Sequence, residues 1–180
     1  TAVNHATKTL LLTDGTISDL RVSDFSELSS VTLAAFSRNA VARIDDGAFR
    51  NLSDLRSLLL DGNSLVVSSI TARTFEGLRS LRDLRLDGNA LSAVRAEWFG
   101  DLAALDHLHL GGNVIASVTS DAFWPSALSN LTGLNLTGNL LAHVDRNAFR
   151  GLARLRSVRL GRNPWDCDDC GLLQLSGFLR

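Results

Sequence analysis

The sequence lacks the features that define several large classes of protein. Only two of its 180 residues are cysteines, Cys167 and Cys170, so a disulfide framework cannot hold most of the chain together. No apolar run approaches the roughly 20 residues of a membrane-spanning helix, and we expect no membrane insertion within this chain. The formal net charge is −1, which gives no global electrostatic reason to expect nucleic acid as a partner.

The amino-terminal residues show no signal-peptide pattern, and the chain does not begin with methionine. A mature or excised fragment would look the same, so these two absences do not define the compartment. The length is sufficient for one domain with a sizeable hydrophobic core.

A repeat of the form L-x-x-L-x-L-x-x-N-x-L extends through nearly the whole chain. It occurs, with some substitutions in the first and last copies, at residues 31–41, 55–65, 81–91, 105–115, 131–141 and 155–165. We predict a degenerate amino-terminal capping repeat over 1–30 and five repeats of 24 to 26 residues over 31–154. Residues 155–180 then form a last strand and a truncated carboxy-terminal cap.

The spacing within each repeat predicts a stacked structure. Alternating leucines predict a short strand whose leucines point inward, and successive strands would form a parallel sheet with a spacing of about 4.8 Å. Extra residues after Leu65 and after Phe123 predict convex-side loops. The recurring asparagines carry donors and acceptors that can satisfy backbone groups where each strand turns away. They are Asn39, Asn63, Asn89, Asn113, Asn139 and Asn163.

These motifs resemble the leucine-rich repeats of extracellular proteins. The 24-residue form with a late phenylalanine, as at Phe49 and Phe75, is similar to repeats of Toll-like receptor ectodomains and of the variable lymphocyte receptors of jawless vertebrates. The resemblance implies an α/β solenoid (horseshoe) with a parallel β-sheet on its concave face. Loops and short helical turns would form the convex face, where the phenylalanines would stack in a column.

The tail NPWDCDDCGLLQLSGFLR resembles the carboxy-terminal cap of the same family, which contains a helix. Its cysteines follow a C-x-x-C spacing, and the two later cysteines of the family cap are absent. The resemblance implies a structural disulfide at Cys167 and Cys170, although in a truncated chain each cysteine could lack its partner. A zinc site would need two more ligands, and a redox role would need a thioredoxin-like context.

The strand register predicts which side chains face the concave side. A central column would run Leu11, Ala35, Leu59, Arg85, His109, Asn135 and Arg159, and the preceding column would run Thr9, Leu33, Ser57, Asp83, His107, Gly133 and Ser157. The first third of this face offers an exposed apolar cluster of Leu11, Leu33, Ala35 and Leu59, which suggests a protein contact. The middle is mixed in charge, and the end is rich in arginine. The candidate ligand contacts are Arg56, Leu59, Arg82, Asp83, Arg85, Asp87, His107, His109, Asn135, Arg156 and Arg159.

The two histidines of LDHLHLGGN raise three alternatives. His107 and His109 could ligate a metal with Asp83, but H-x-H on an open sheet is a weak motif, and we expect no metal or other cofactor. A triad of Ser57, His107 and Asp83 can be drawn, but nothing supplies an oxyanion hole, and we expect no enzyme activity. We therefore interpret both histidines as ligand contacts whose binding would depend on pH.

Three N-x-[ST] sequons make Asn51, Asn130 and Asn135 glycosylation candidates. Asn51 and Asn130 lie between strands, whereas Asn135 lies in the central concave column. A glycan on Asn135 would obstruct the middle of the predicted binding face.

The resemblance implies a recognition function outside the cell, for a secreted protein or a cell-surface ectodomain. The first hypothesis is an innate-immune or antigen-receptor-like module that binds microbial surface molecules or protein antigens through the concave face. The alternative is a matrix or cell-adhesion protein that binds a protein ligand. In that case the apolar cluster would contact the ligand or form a homodimer.

Overall fold

A computed structural model describes residues 7–124, 127–145 and 147–166 of the chain. Its main element is a seven-stranded parallel sheet in which the strands follow one another in chain order. The strands are β1 (Thr9–Leu11), β3 (Leu33–Ala35), β5 (Ser57–Leu59), β6 (Asp83–Arg85), β7 (His107–His109), β8 (Gly133–Asn135) and β9 (Ser157–Arg159). A second, two-stranded sheet pairs β2 (Asp19–Leu20) with β4 (Arg43–Ile44).

The core lies behind the large sheet and follows the predicted leucine pattern. The middle residue of each inner strand points inward, and Leu58, Leu84 and Leu108 are each 0% exposed. A fully buried leucine contributes roughly 1.5–3 kcal/mol, and each repeat covers the leucines of its neighbour. The prediction of a parallel-stranded solenoid is confirmed.

Short 3₁₀ helices lie between the strands of the large sheet, at Val22–Phe25, Val67–Ser69 and Ala96–Phe99. The helix at Val67–Ser69 accommodates the extra residues that follow Leu65, which accounts for the longer period there without any shift in strand register. The part of the chain that the structure describes contains no α-helix. The predicted helical cap and both cysteines lie outside the described residues.

The asparagines form a hydrogen-bonded ladder, as predicted. Asn113 donates from Nδ2 to the carbonyls of Leu86 and Leu110, at 2.9 and 3.0 Å, and accepts the Leu91 N–H at 3.0 Å. Because Leu86 belongs to the preceding repeat, each amide joins two successive turns of the solenoid. Asn113 is only 4% exposed, so these bonds satisfy backbone groups that water does not reach.

Phenylalanines pack in a column on the side opposite the sheet. The Phe49 and Phe75 rings are stacked with centroids 6.5 Å apart, and Phe99 and Phe123 are stacked at 6.3 Å. Trp98 packs edge-on against Phe99 at 6.1 Å and is 1% exposed. Its buried indole Nε1 has no hydrogen-bond partner among the described residues.

Among the same residues, no helix has both the length and the apolar character that crossing a membrane would require.

Candidate functional site on the concave face

Outward-facing side chains of the large sheet form two continuous columns. The observed pairing aligns Leu59 with Arg85, Arg85 with His109 and His109 with Asn135, and the same register extends to β1 and β9. The column that contains Asp83, His107 and Gly133 lies beside it. Each side chain is therefore fixed by the strand pairing, because neighbouring strands place their outward residues side by side.

The amino-terminal third of this face is less apolar than the sequence predicts. Leu11 is 62% exposed, and Leu33 and Leu59 are half-buried, but Ala35 is buried at 3% exposure. Inclusion of Ala35 in the exposed cluster is wrong, because its methyl group lies between the larger side chains of Leu11 and Leu59 in the adjacent strands. The cluster consists of three leucines.

Two short charge networks occupy the middle of the face. Asp83 lies between Arg85 and His109, with its Oδ2 3.6 Å from Arg85 Nε and its Oδ1 3.4 Å from His109 Nε2. The His109 contact is too long for a hydrogen bond and is an ion pair only when the imidazole is protonated. His107 has a different partner, since its Nδ1 lies 3.4 Å from Asp106 Oδ2. The two imidazole rings stack with centroids 6.4 Å apart.

A third network ties Asp87 to the two strands that follow it. Asp87 Oδ1 accepts the Gly111 N–H at 2.9 Å and a hydrogen bond from Asn135 Nδ2 at 3.3 Å. Burial raises the pKa of the Asp87 carboxyl above its ordinary value, because partial desolvation disfavours the charged form. The bond from Gly111 and the nearby charge of His109 oppose that increase.

Glycine at position 111 makes this network possible. A Cβ there would lie 2.9 Å from Asp87 Oδ1 and 3.0 Å from Asn135 Nδ2. Any larger residue would therefore push the two side chains apart. Asp87 and Asn135 are both half-buried, so they stiffen the face and present only part of their surface to a ligand.

A depression of about 340 Å³ opens over Gly133, near the carboxy-terminal end of the sheet. His107 and His109 lie on one side of it, and Arg156 and Arg159 lie on the other. The depression exists because Gly133 has no side chain. A Cβ there would lie 2.6 Å from Cδ2 and 3.2 Å from Nε2 of His107, which shows that the imidazole edge leans over the glycine.

The remaining arginines of the predicted contact set lie on the flank of the sheet. Arg56, Arg82 and Arg156 each directly precede a strand and are exposed. Arg82 and Arg156 line a larger flank depression of about 810 Å³, together with Asp106 and Arg154. Arg156 lines both depressions, so they form a continuous surface around the edge of the sheet.

The strand register places Ser57, Asp83 and His107 side by side in one column, but they do not form a catalytic triad. Asp83 lies between the other two in strand order, whereas a triad requires the imidazole between the hydroxyl and the carboxylate. Asp83 contacts His109, and His107 contacts Asp106. Among the described residues, no group of three histidine, cysteine or acidic side chains is arranged to hold a metal ion.

The three sequon asparagines differ in their surroundings. Asn51 is exposed. Asn130 donates from Nδ2 to the Ala103 carbonyl at 2.7 Å and accepts from Arg154 Nη1 at 2.8 Å. Asn135 Nδ2 is the group that bonds to Asp87. In the folded chain, Asn51 therefore offers the most accessible amide, and glycosylation of all three stays a prediction.

Two features of the site were not predicted from the sequence. Thr132 donates from its hydroxyl to Asp106 Oδ1, which fixes the carboxylate that faces His107. The glycines at 111 and 133 shape the surface by the absence of a side chain. Their occurrence among outward-facing positions is the sequence signal that could have identified the depression.

Comparisons with known proteins agree with this geometry. A family model described as "Leucine rich repeat" matches residues 6–65, 67–115, 79–129 and 118–164. Leucine-rich repeat-containing protein 53 of Homo sapiens and that of Macaca fascicularis are each 37% identical to this chain over 74 residues, or 41% of its length.

A solved structure of similar fold is that of TLR13 in a TLR13–ssRNA13 complex. It matches 87% of this chain with a TM-score of 0.79 and 31% sequence identity. The chain spans 6% and 14% of the two curated relatives and 23% of the TLR13 chain, so it corresponds to a small part of each.

Proposed function

We propose that this chain, which belongs to the leucine-rich repeat family, is a non-catalytic recognition module that binds a macromolecular ligand through its concave face. The observation that carries the proposal is the continuous register of outward side chains across seven strands. They form one surface with exposed leucine at one end, ion pairs in the middle and exposed arginine at the other end. Interfaces of this kind combine apolar anchors with arginine and a polar surround.

The ligand class that we propose is a microbial surface molecule or a protein antigen, bound outside the cell by a secreted or cell-surface protein. The similarity to TLR13 and the resemblance to antigen receptors of the same repeat class support an innate-immune role. TLR13 is seen in complex with ssRNA13, but we do not extend RNA binding to this chain. Its net charge is −1. Asp83 and Asp87 lie among the contact residues and Asp106 lies beside His107, where they would repel a polyanion.

A matrix or cell-adhesion function is the second candidate, because Leu11 is 62% exposed beside Leu33 and Leu59. Exposed apolar side chains in a group favour contact with another protein. In this alternative, the leucine cluster binds a protein ligand or a second copy of the chain, and the charged part of the face contributes less.

A binding panel separates the two candidates. The protein is incubated with whole bacteria, isolated cell-wall polymers and purified matrix proteins, and bound protein is quantified. Binding to bacteria or their polymers supports the immune role. Binding to matrix proteins alone contradicts that role and favours the second candidate.

The concave face is tested on whichever ligand binds. We expect Arg85→Ala with His109→Ala to weaken binding about tenfold or more, because central interface residues cost more than about 1 kcal/mol each when truncated. The melting temperature should not change, since both side chains are partly exposed and their ion pairs contribute little to stability. The matched control is Arg95→Ala with His143→Ala, a pair of exposed residues outside the sheet. Loss of binding in the control and not in the concave pair would refute the proposal.

A further inference from the structure

The arginines at the carboxy-terminal end of the concave face differ from the charged groups of the two networks in the middle of that face. There, Asp83 contacts Arg85 and His109, and Asp106 contacts His107. In contrast, Arg156 and Arg159 form no ion pair with any residue within the described ranges, and both are exposed. Within the described ranges, the end of the face therefore carries two positive charges without an acidic partner.

Both arginines border the depression over Gly133. Arg159 belongs to the central column beside Asn135, and Arg156 directly precedes the same strand. Ser157, which pairs with Gly133, is also small. Two neighbouring small residues thus leave a recess that is bordered by guanidinium groups, while the Asn135 amide and the His107 ring complete its wall.

We propose that this depression binds the carboxylate of an acidic side chain on a protein ligand. A guanidinium presents a planar fork of donors that matches a carboxylate, and two such groups on one side of a recess can both donate to a carboxylate seated in it. The inference rests on the proposed function and adds the chemistry of one contact within the concave face.

The surrounding charges favour an isolated acidic side chain over an extended polyanion. The Asp106 carboxylate faces His107 at the edge of the recess. Asp83 lies in the preceding strand, β6, and Asp87 lies just after the end of that strand. A chain of phosphates would have to pass these carboxylates, and like charges in proximity are repulsive. A protein can instead place one acidic side chain in the recess and neutral or basic groups beside the aspartates.

The apolar end of the same face also fits a protein ligand. Leu33 lies on β3 and Arg159 on β9, five strand spacings apart in the sheet, which corresponds to about 24 Å. One protein interface of ordinary size covers such a distance. Its apolar side chains would contact the leucines while its acidic residue occupies the recess.

The test uses a hexaglutamate peptide with blocked ends as the probe. It is titrated into isotopically labelled protein at low ionic strength and neutral pH, where ionic contacts are weakly screened, and amide chemical shifts are recorded. We expect shifts at Gly133, Asn135 and Ser157. Arg156→Gln with Arg159→Gln should weaken binding about tenfold.

The matched control is Arg21→Gln with Arg79→Gln, which removes the same charge from exposed positions outside the depression. It should change the affinity less than about twofold. Equal weakening by both pairs would show that net charge alone attracts the peptide and would overturn the proposal. Absence of shifts at Gly133 would also overturn it.

An oligouridylate of six nucleotides serves as the competing polyanion. Tighter binding of this RNA than of hexaglutamate, with shifts at the same amides, would overturn the assignment of a protein carboxylate. Failure of this test is separable from failure of the proposed function. The hexaglutamate titration does not involve the natural ligand, and the Arg85 and His109 variants do not alter the two arginines.

Discussion

Replacement of one asparagine of the ladder tests how the repeats are held together. Asn113→Ala removes the bonds donated to the carbonyls of Leu86 and Leu110, a longer contact to the Gly111 carbonyl at 3.3 Å, and the acceptor of the Leu91 N–H. Both carbonyls retain another donor, because Asn89 bonds to Leu86 at 3.0 Å and Asn139 bonds to Leu110 at 2.9 Å. The Leu91 N–H retains no other partner among the hydrogen bonds that the structure shows.

The expected loss in the free energy of unfolding depends on these lost hydrogen bonds, above all on the Leu91 N–H, which is left without an acceptor. A buried N–H left without an acceptor costs about 1–3 kcal/mol, and each of the two donated bonds contributes about 0.5–1.5 kcal/mol net. The variant should therefore lose about 2–6 kcal/mol, which is a large part of the free energy of unfolding of an ordinary domain. With a urea dependence near 2 kcal/mol per molar, the unfolding midpoint should fall by about 1–3 M.

Asn39→Ala is the matched control for this experiment. Asn39 makes the corresponding bonds, to the Leu12 and Phe36 carbonyls and from the Ile17 N–H, but it is half-exposed. Water can replace the lost partners there, so the control should cost less than about 2 kcal/mol. Urea unfolding and hydrogen exchange of the Leu91 amide measure the two effects. A near-neutral Asn113→Ala, or an equal loss in both variants, would refute the reasoning.

Three further predictions concern the core and the concave face. Leu108→Ala should lower the free energy of unfolding by about 2–5 kcal/mol, since Leu108 is 0% exposed; a neutral result in urea unfolding would contradict the register. Trp98→Phe should cost less than about 1.5 kcal/mol, because it removes a buried N–H without a described partner; a larger loss in thermal unfolding would reveal a partner. The folded state raises the pKa of Asp87, so the native protein gains stability from this group as the pH falls through that pKa. Asp87→Asn should therefore be no less stable than the native chain near pH 7.5 and lose its relative advantage near pH 4.5, and a deficit in urea midpoint near pH 7.5 would contradict this sign.

The sequence predicts the sheet well because the repeat specifies it many times. The inward leucines of each repeat recur at fixed spacing. A single alignment of the repeats therefore predicts the pairing of Arg85 with His109 and of His109 with Asn135. The asparagine ladder is predicted for the same reason. A polar residue that recurs among buried positions must bond to the backbone, and the backbone groups of each turn are identical.

The sequence predicts the detailed surface less well because it depends on contacts between unlike residues. Burial of Ala35 depends on the length of the side chains beside it, and the position of His107 depends on the glycine at 133. His109 contacts Asp83, although the strand pairing places Asp83 opposite His107. Such pairings depend on rotamers, and no spacing in the sequence encodes them.

The strands of the large sheet stay aligned although the repeats differ in length. Extra residues enter on the convex side and leave the pairing of Ser57 with Asp83 unchanged. The residues that form the core and those that face outward on the sheet are therefore different sets. Leucines and asparagines point inward, whereas two positions of each strand point outward and are the proposed ligand contacts. Specificity can thus be varied one outward position at a time, by evolution or by design, on a scaffold that stays the same.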